Sequence, residues 1–123
     1  MMVASKVNSG PGLNLNPDDP NSSAIARLAV TLWEKAGERV ESFGEEILHI
    51  PKHDIVEIFV GQADQVSNEI VEQLVDNSNL VLICVPLHQI GRAHEIWYGK
   101  NVWLQGWSMK PNGEVAFYES EVA

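Results

Sequence analysis

The sequence predicts an α+β fold in which two helices pack on a mostly antiparallel, curved sheet of about six strands, or on a sheet that closes partly into a barrel. Two segments repeat apolar residues every three or four positions, which is typical of amphipathic helices. Short runs rich in β-branched and aromatic residues fill the middle and the last third, and turn sequences such as "KPNG" separate them. With 123 residues, the chain fits one domain.

The first 19 residues predict a flexible N-terminal arm, followed by a single α+β domain over residues 20–123. "VNSGPGLNLNP" has no apolar period and is broken by glycine and proline. The arm has one lysine and no apolar segment of the kind found in secretory signals, so we expect no export leader.

The next segment predicts a first helix that ends at Gly44. Asp19 is one candidate N-cap, and Ser22 or Ser23 would cap a later start. Gly37 lies inside the predicted helix and marks a weak point, because glycine disfavours helix interiors. The predicted buried stripe comprises Ile25, Leu28, Ala29, Leu32, Trp33, Ala36, Val40 and Phe43.

The middle of the chain predicts a hairpin, a second helix and a buried strand. "EEILHI" and "DIVEIFV" are joined by "PKH", and only Glu57 interrupts the apolar residues of the second run. Asp64 is the predicted N-cap of the second helix. "LVLICVP" has no polar residue, which favours a central strand, and Pro86 ends it.

The last third predicts a meander of three strands, "HEIWY", "VWLQGWSM" and "EVAFYE". Apolar side chains fall on both of its faces, and helices on one side of a sheet can cover only one of these faces. We therefore expect a homodimer, a bound small apolar ligand or a protein partner to cover the remainder, unless the sheet curls on itself or the aromatic residues are simply core. The candidate ligand or interface residues are Trp97, Trp103, Trp107, Met109, Phe117 and Tyr118.

"PLHQIGRAHEIWYG" supports an alternative, a small enzyme with a histidine, arginine and glutamate site beside a tryptophan-lined pocket. Its candidate catalytic residues are His88, Arg92, His94 and Glu95, since histidine titrates near neutral pH. The competing interpretation is a connection that leads into a strand, with Arg92 in an ion pair with Glu95. The chain contains no complete catalytic signature, so a non-enzymatic binding protein is the leading hypothesis.

No metal or cofactor is predicted. His49, His53, His88 and His94 match no short-spaced zinc motif, and no glycine-rich phosphate loop occurs. Cys84 lies in an apolar run, which predicts a buried free thiol and favours a cytoplasmic location.

The formal net charge of −9 excludes the usual electrostatic basis for nucleic-acid binding, because phosphates repel carboxylates. No apolar run reaches the roughly 20 residues that span a bilayer, so no membrane segment is expected. The acidity leaves one more alternative open, an inhibitor or immunity-like protein for a basic partner. Its candidate surface comprises Glu34, Glu38, Glu41, Glu45 and Glu46.

Overall fold

The computed structural model describes the backbone of residues 7–8 and all of residues 21–123. The described strands are β1 (Val7–Asn8), β2 (Glu41–Ser42), β3 (Ile47–Ile50), β4 (Ile55–Phe59), β5 (Leu80–Pro86), β6 (Trp103–Met109), β7 (Val115–Phe117) and β8 (Glu121–Val122). The helices are α1 (Ser22–Lys35), α2 (Asn68–Asn77) and α3 (Ile90–Trp97), and a single 3₁₀ turn covers Leu87–Gln89. The predicted α+β fold with a curved sheet is confirmed, but the described helices number three rather than two.

The sheet is mixed and curls into a half-barrel. Its strand order is β1-β7-β6-β5-β4-β3-β2, and β8 pairs with the first residues of β6. β4 and β5 are parallel, as are β5 and β6, whereas the outer pairings are antiparallel. The predicted hairpin of β3 and β4 is confirmed. The sheet is mostly antiparallel as predicted, since five of the seven described pairings are antiparallel, but the pairings at its centre are parallel.

The parallel centre exists because the chain crosses the sheet twice through a helix, and parallel strands require such crossovers. α2 connects β4 to β5, and α3 connects β5 to β6. The prediction of a strand at "HEIWY" was wrong, since these residues lie in or at the end of α3. Ile90, Ala93 and Trp97 share the buried side of that helix at helical spacing, which outweighs the local strand preference of isoleucine and the aromatics.

The first helix is shorter than predicted and ends at Lys35. Gly37 adopts a φ of +87°, its N–H bonds to the Glu34 carbonyl, and the N–H of Glu38 bonds to the Trp33 carbonyl. This pair of bonds is a Schellman motif, in which the residue after the cap is left-handed and favours glycine. Gly37 is therefore the stop, and the predicted stop at Gly44 was wrong.

Helices cover both faces of the sheet. Ile25, Leu28 and Ala29 of α1 pack on Phe59, Cys84, Trp107, Val115 and Phe117. Val71 of α2 and Ala93 and Trp97 of α3 pack on Val56, Ile58, Val81, Ile83, Val85 and Leu104. The apolar surplus expected of the C-terminal strands is thus largely hidden within one chain, because the helices are divided between the two faces.

Ser67, rather than Asp64, caps α2 by accepting a hydrogen bond from the Ile70 N–H. The predicted arm lies outside the described residues except for β1, which pairs with β7. None of the helices in the described part of the chain is long and apolar enough to cross a membrane.

Candidate ligand-binding cleft

An open cleft of about 920 Å³ lies at the carboxyl ends of the three parallel strands. Gly61 follows β4, Pro86 to His88 end and follow β5, and Trp107 to Met109 end β6. Ligands of open sheets with parallel strands bind in the crevice outside those strand ends, and small-molecule sites commonly measure about 300–1,000 Å³. Position and size therefore make this cleft the candidate functional site.

The amino terminus of α1 forms one rim of the cleft, with Asn21, Ser22 and Ser23 in its lining. Asn21 caps the helix, because its Oδ1 accepts hydrogen bonds from the Ala24 N–H at 2.9 Å and the Ser23 hydroxyl at 2.8 Å. Next to this helix end, Gln65 Oε1 accepts hydrogen bonds from the N–H of Gly61 at 2.6 Å and of Gln62 at 3.0 Å. These contacts hold the loop after β4 in place beside the helix end.

The apolar lining comes from Pro86, Leu87, Trp107 and Met109. Trp107 is 7% exposed, so most of its indole is packed under α1 while its remainder contributes to the cleft. Leu87 lies against Gly106, where a Cβ would come within 2.9 Å of Leu87 Cδ1. Glycine at position 106 thus leaves room for the Leu87 side chain beside β6.

His88 and Glu46 supply the ionisable groups of the lining, together with the hydroxyls of Ser22, Ser23 and Ser108. Within the described residues, no hydrogen bond joins His88 to Glu46 or to a serine. The cleft therefore offers an apolar surface with polar groups around it, rather than an assembled nucleophile and base.

The structure does not bring the four predicted catalytic residues together. His88 lines the cleft, whereas His94 Nε2 lies 2.7 Å from Oε1 of Glu121. Glu121 pairs with Leu104 at the start of β6, so this contact lies at the end of the strand away from the cleft. Glu95 is exposed on α3.

The guanidinium of Arg92 contacts Asp64 at 3.4 Å rather than the predicted Glu95. Asp64 precedes α2 and lies far from Arg92 in sequence, so the spacing of the loop could not reveal this partner.

The predicted aromatic set divides into three groups. Trp97 and Phe117 are buried, and the Trp97 Nε1 donates a hydrogen bond to the Ala63 carbonyl at 3.1 Å. Trp107 and Met109 line the cleft, and the hydroxyl of Tyr118 lies 3.0 Å from that of Ser108. Trp103 is 37% exposed at the other end of β6, beside Val122 in register.

Sequence reasoning missed Asn21, Glu46 and Gly61 as parts of one site. Polar and glycine residues directly after strands are the usual signal for a cleft at strand ends, but that signal requires knowing which strands are parallel.

Burial perturbs two ionisable groups beneath α1. Glu57 is fully buried, and burial raises its pKa to about 7 although a hydrogen bond from Trp33 acts in the opposite direction. Burial also raises the pKa of the Cys84 thiol well above its usual value, with the charge of Glu57 adding to the effect. A protonated, buried thiol is a poor nucleophile, so Cys84 fits a structural role.

Near the edge of the sheet formed by β2, His49 lies between two carboxylates. Its Nδ1 is 3.1 Å from Glu41 and its Nε2 is 3.0 Å from Asp54. The hydrogen bonds to Glu41 and Asp54 raise the pKa of His49, and the bond to His49 lowers the pKa of Glu41. The described residues contain no group of three or more histidine, cysteine, aspartate or glutamate side chains placed to hold a metal ion.

The molecule is thus a curled, mixed sheet with helices on both faces and a partly apolar cleft at the ends of its parallel strands. In comparisons with known proteins, no family model matches this chain, and no curated protein and no solved structure matches it.

Proposed function

We propose that this chain is a binding protein whose cleft takes a small, largely apolar ligand. The observation that carries the proposal is the cleft of about 920 Å³ at the carboxyl ends of β4, β5 and β6, with Trp107, Leu87 and Met109 in its lining. Large apolar side chains provide most of the affinity for such a ligand by removing its surface from water. The hydroxyls and His88 orient a polar group at its end.

The test uses Nile red, an uncharged apolar dye whose emission rises in apolar surroundings. Leu87→Asp places a carboxylate in the lining, and Leu87 is exposed enough (39%) for the substitution to leave the core intact. Ile70→Asp is the matched control, because Ile70 is a similarly exposed aliphatic residue on α2 outside the cleft lining.

We expect the wild-type chain and Ile70→Asp to bind the dye saturably with equal affinity, and Leu87→Asp to bind about tenfold more weakly, since a charge must be desolvated. Circular dichroism would establish that both variants are folded. Failure of the wild type to show saturable binding, or equal binding by Leu87→Asp, would contradict the proposal.

Self-association, a cytoplasmic location and a basic protein partner remain proposals. The surfaces available for self-association and for a basic partner are smaller than the sequence suggests. Trp97, Trp107 and Phe117 are largely committed to the interior of one chain, so the tryptophan left for a homodimer contact is Trp103. Two glutamates of the acidic candidate surface have partners within the chain, since Glu38 contacts His53 and Glu41 contacts Arg39 and His49. A small ligand in the cleft is therefore better supported than a partner on either surface.

A further inference from the structure

A second cavity, of about 760 Å³, lies at the opposite end of the parallel strands from the cleft. Ile55 and Leu80, which begin β4 and β5, contribute to it, as does the carboxyl end of α1 through Trp33 and Ala36. The remaining lining residues are polar or charged: Glu38, Lys52, His53 and Asn79. The cavity therefore combines an apolar wall with charged and polar side chains.

The apolar wall is fixed in place. Trp33 is 4% exposed, and its indole Nε1 is held by a hydrogen bond to the buried Glu57. Ile55 is also buried and packs in the same cluster as Trp33, with Leu80 packed against it. The wall is therefore preorganised for an aliphatic or aromatic group, which reduces the entropy lost on binding.

The carboxylate of Glu38 is only partly satisfied. Its Oε2 lies 3.1 Å from His53 Nε2, whereas Oε1 is buried and has no hydrogen-bond partner among the described residues. A buried carboxylate oxygen without a donor is costly, so a donor from a ligand would stabilise it. Glu38 lines the cavity and its side chain is 16% exposed, so a ligand donor can approach this carboxylate.

Lys52 provides the opposite charge. Within the described part of the chain, no carboxylate lies within 4.0 Å of its ammonium group, although the net charge of the chain is −9. The same cavity thus offers, beside an apolar wall, a carboxylate with one unpartnered oxygen and an ammonium group, neither of them fully paired by the described residues.

We propose that this second cavity binds a free α-amino acid with an apolar side chain. The ligand ammonium pairs with Glu38, its carboxylate pairs with Lys52, and its side chain packs against Trp33, Ile55 and Leu80. A ligand that carries both charges matches the site better than a simple anion, which Glu38 repels, or a simple cation, which Lys52 repels. The site is separate from the cleft and does not depend on the function proposed for it.

The test compares three probes of similar shape: L-leucine, L-leucinamide, which lacks the carboxylate, and 4-methylpentanoate, which lacks the ammonium group. Isothermal titration calorimetry measures affinity, and the ¹H–¹⁵N signal of the assigned Trp33 indole reports whether the ligand occupies this cavity. We expect leucine to bind and to shift the Trp33 signal, and each analogue to bind about tenfold or more weakly, because each lacks one charged contact.

Glu38→Gln and Lys52→Met test the two ends of the ligand separately. We expect both variants to lose about tenfold or more in leucine affinity, whereas the matched surface variants Glu34→Gln and Lys35→Met of α1 retain it. Equal binding of all three probes, leucine binding that leaves the Trp33 signal unchanged, wild-type affinity in both cavity variants, or no leucine binding would each overturn the proposal. Nile red binding to the cleft should be unchanged in Glu38→Gln and Lys52→Met, so the two proposals can fail independently.

Discussion

The indole Nε1 of Trp33 donates a hydrogen bond to Oε1 of Glu57, which connects α1 to a central strand of the sheet inside the core. The other carboxyl oxygen of Glu57, Oε2, is buried and has no hydrogen-bond partner among the described residues. A carboxyl group in this position is favoured in its neutral form, because a buried charge without a counter-ion is costly.

Glu57 should make the protein less stable as the pH rises. Its pKa is raised from 4.5 to about 7, so between these values the folded chain holds a proton that the unfolded chain has lost. The free energy of unfolding should then fall by about 3 kcal/mol between pH 4.5 and pH 7 on account of this group. Urea unfolding of the wild type and of Glu57→Gln at several pH values measures the effect.

The neutral amide of Glu57→Gln can still accept the Trp33 hydrogen bond, so the variant should be the more stable protein at pH 8 and should lose this part of the pH dependence. Glu45→Gln, at an exposed carboxyl, serves as the control and should behave like the wild type. If Glu57→Gln keeps the full wild-type slope, Glu57 is not the group responsible.

His49 should contribute stability at low pH through its two carboxylate partners. Its pKa is raised above 6.5, so this contribution is fully present below pH 6.5 and is lost as the pH rises through the folded-state pKa. NMR titration of the His49 ring should give a midpoint above 6.5. Glu41→Gln should lower that midpoint because it removes the partner with the largest effect, and an unchanged midpoint would contradict the assignment.

Two glycine-to-alanine substitutions should have opposite effects on stability. Gly37→Ala places a Cβ at a φ of +87°, which should cost about 1–2 kcal/mol even though no atom lies within 4 Å of that Cβ. Gly91→Ala lies in α3, also meets nothing within 4 Å, and should stabilise the protein by about 0.5–1 kcal/mol. Thermal and urea unfolding measure both, and a loss of stability in Gly91→Ala would contradict the helix at "IGRAHEIW".

If the protein forms a homodimer through its C-terminal strands, Trp103 should be at the contact. It is 37% exposed and is paired in register with the exposed Val122. Size-exclusion chromatography with light scattering should show a dimer for the wild type and a shift toward monomer for Trp103→Ala. A wild type that stays monomeric at high concentration would remove the dimer hypothesis.

The elements with a strong pattern of their own were predictable from sequence. "LVLICVP" and "DIVEIFV" form the buried strands β5 and β4, and "PKH" joins the predicted hairpin. α3 was not predictable by the same means, because Ile96, Trp97 and Tyr98 favour strands locally while the helical spacing of Ile90, Ala93 and Trp97 becomes decisive only against the sheet.

The candidate cleft was predictable only in fragments. Trp107, Met109 and His88 were candidates, but for an interface or a catalytic group rather than for one cavity. Asn21, Glu46 and Gly61 come from three distant segments, and no spacing along the chain relates them.

The sequence by itself determined that the segments of β4 and β5 are buried, that the chain is acidic and that its fold is α+β, because composition and apolar period are local properties. It did not determine where the buried stripe of α1 ends, since the predicted members Ala36 and Phe43 are exposed. Tertiary structure decided the parallel pairing of β4, β5 and β6, the division of helices between the two faces and the position of the cleft. These features depend on contacts between residues far apart in sequence, where packing overrides local preference.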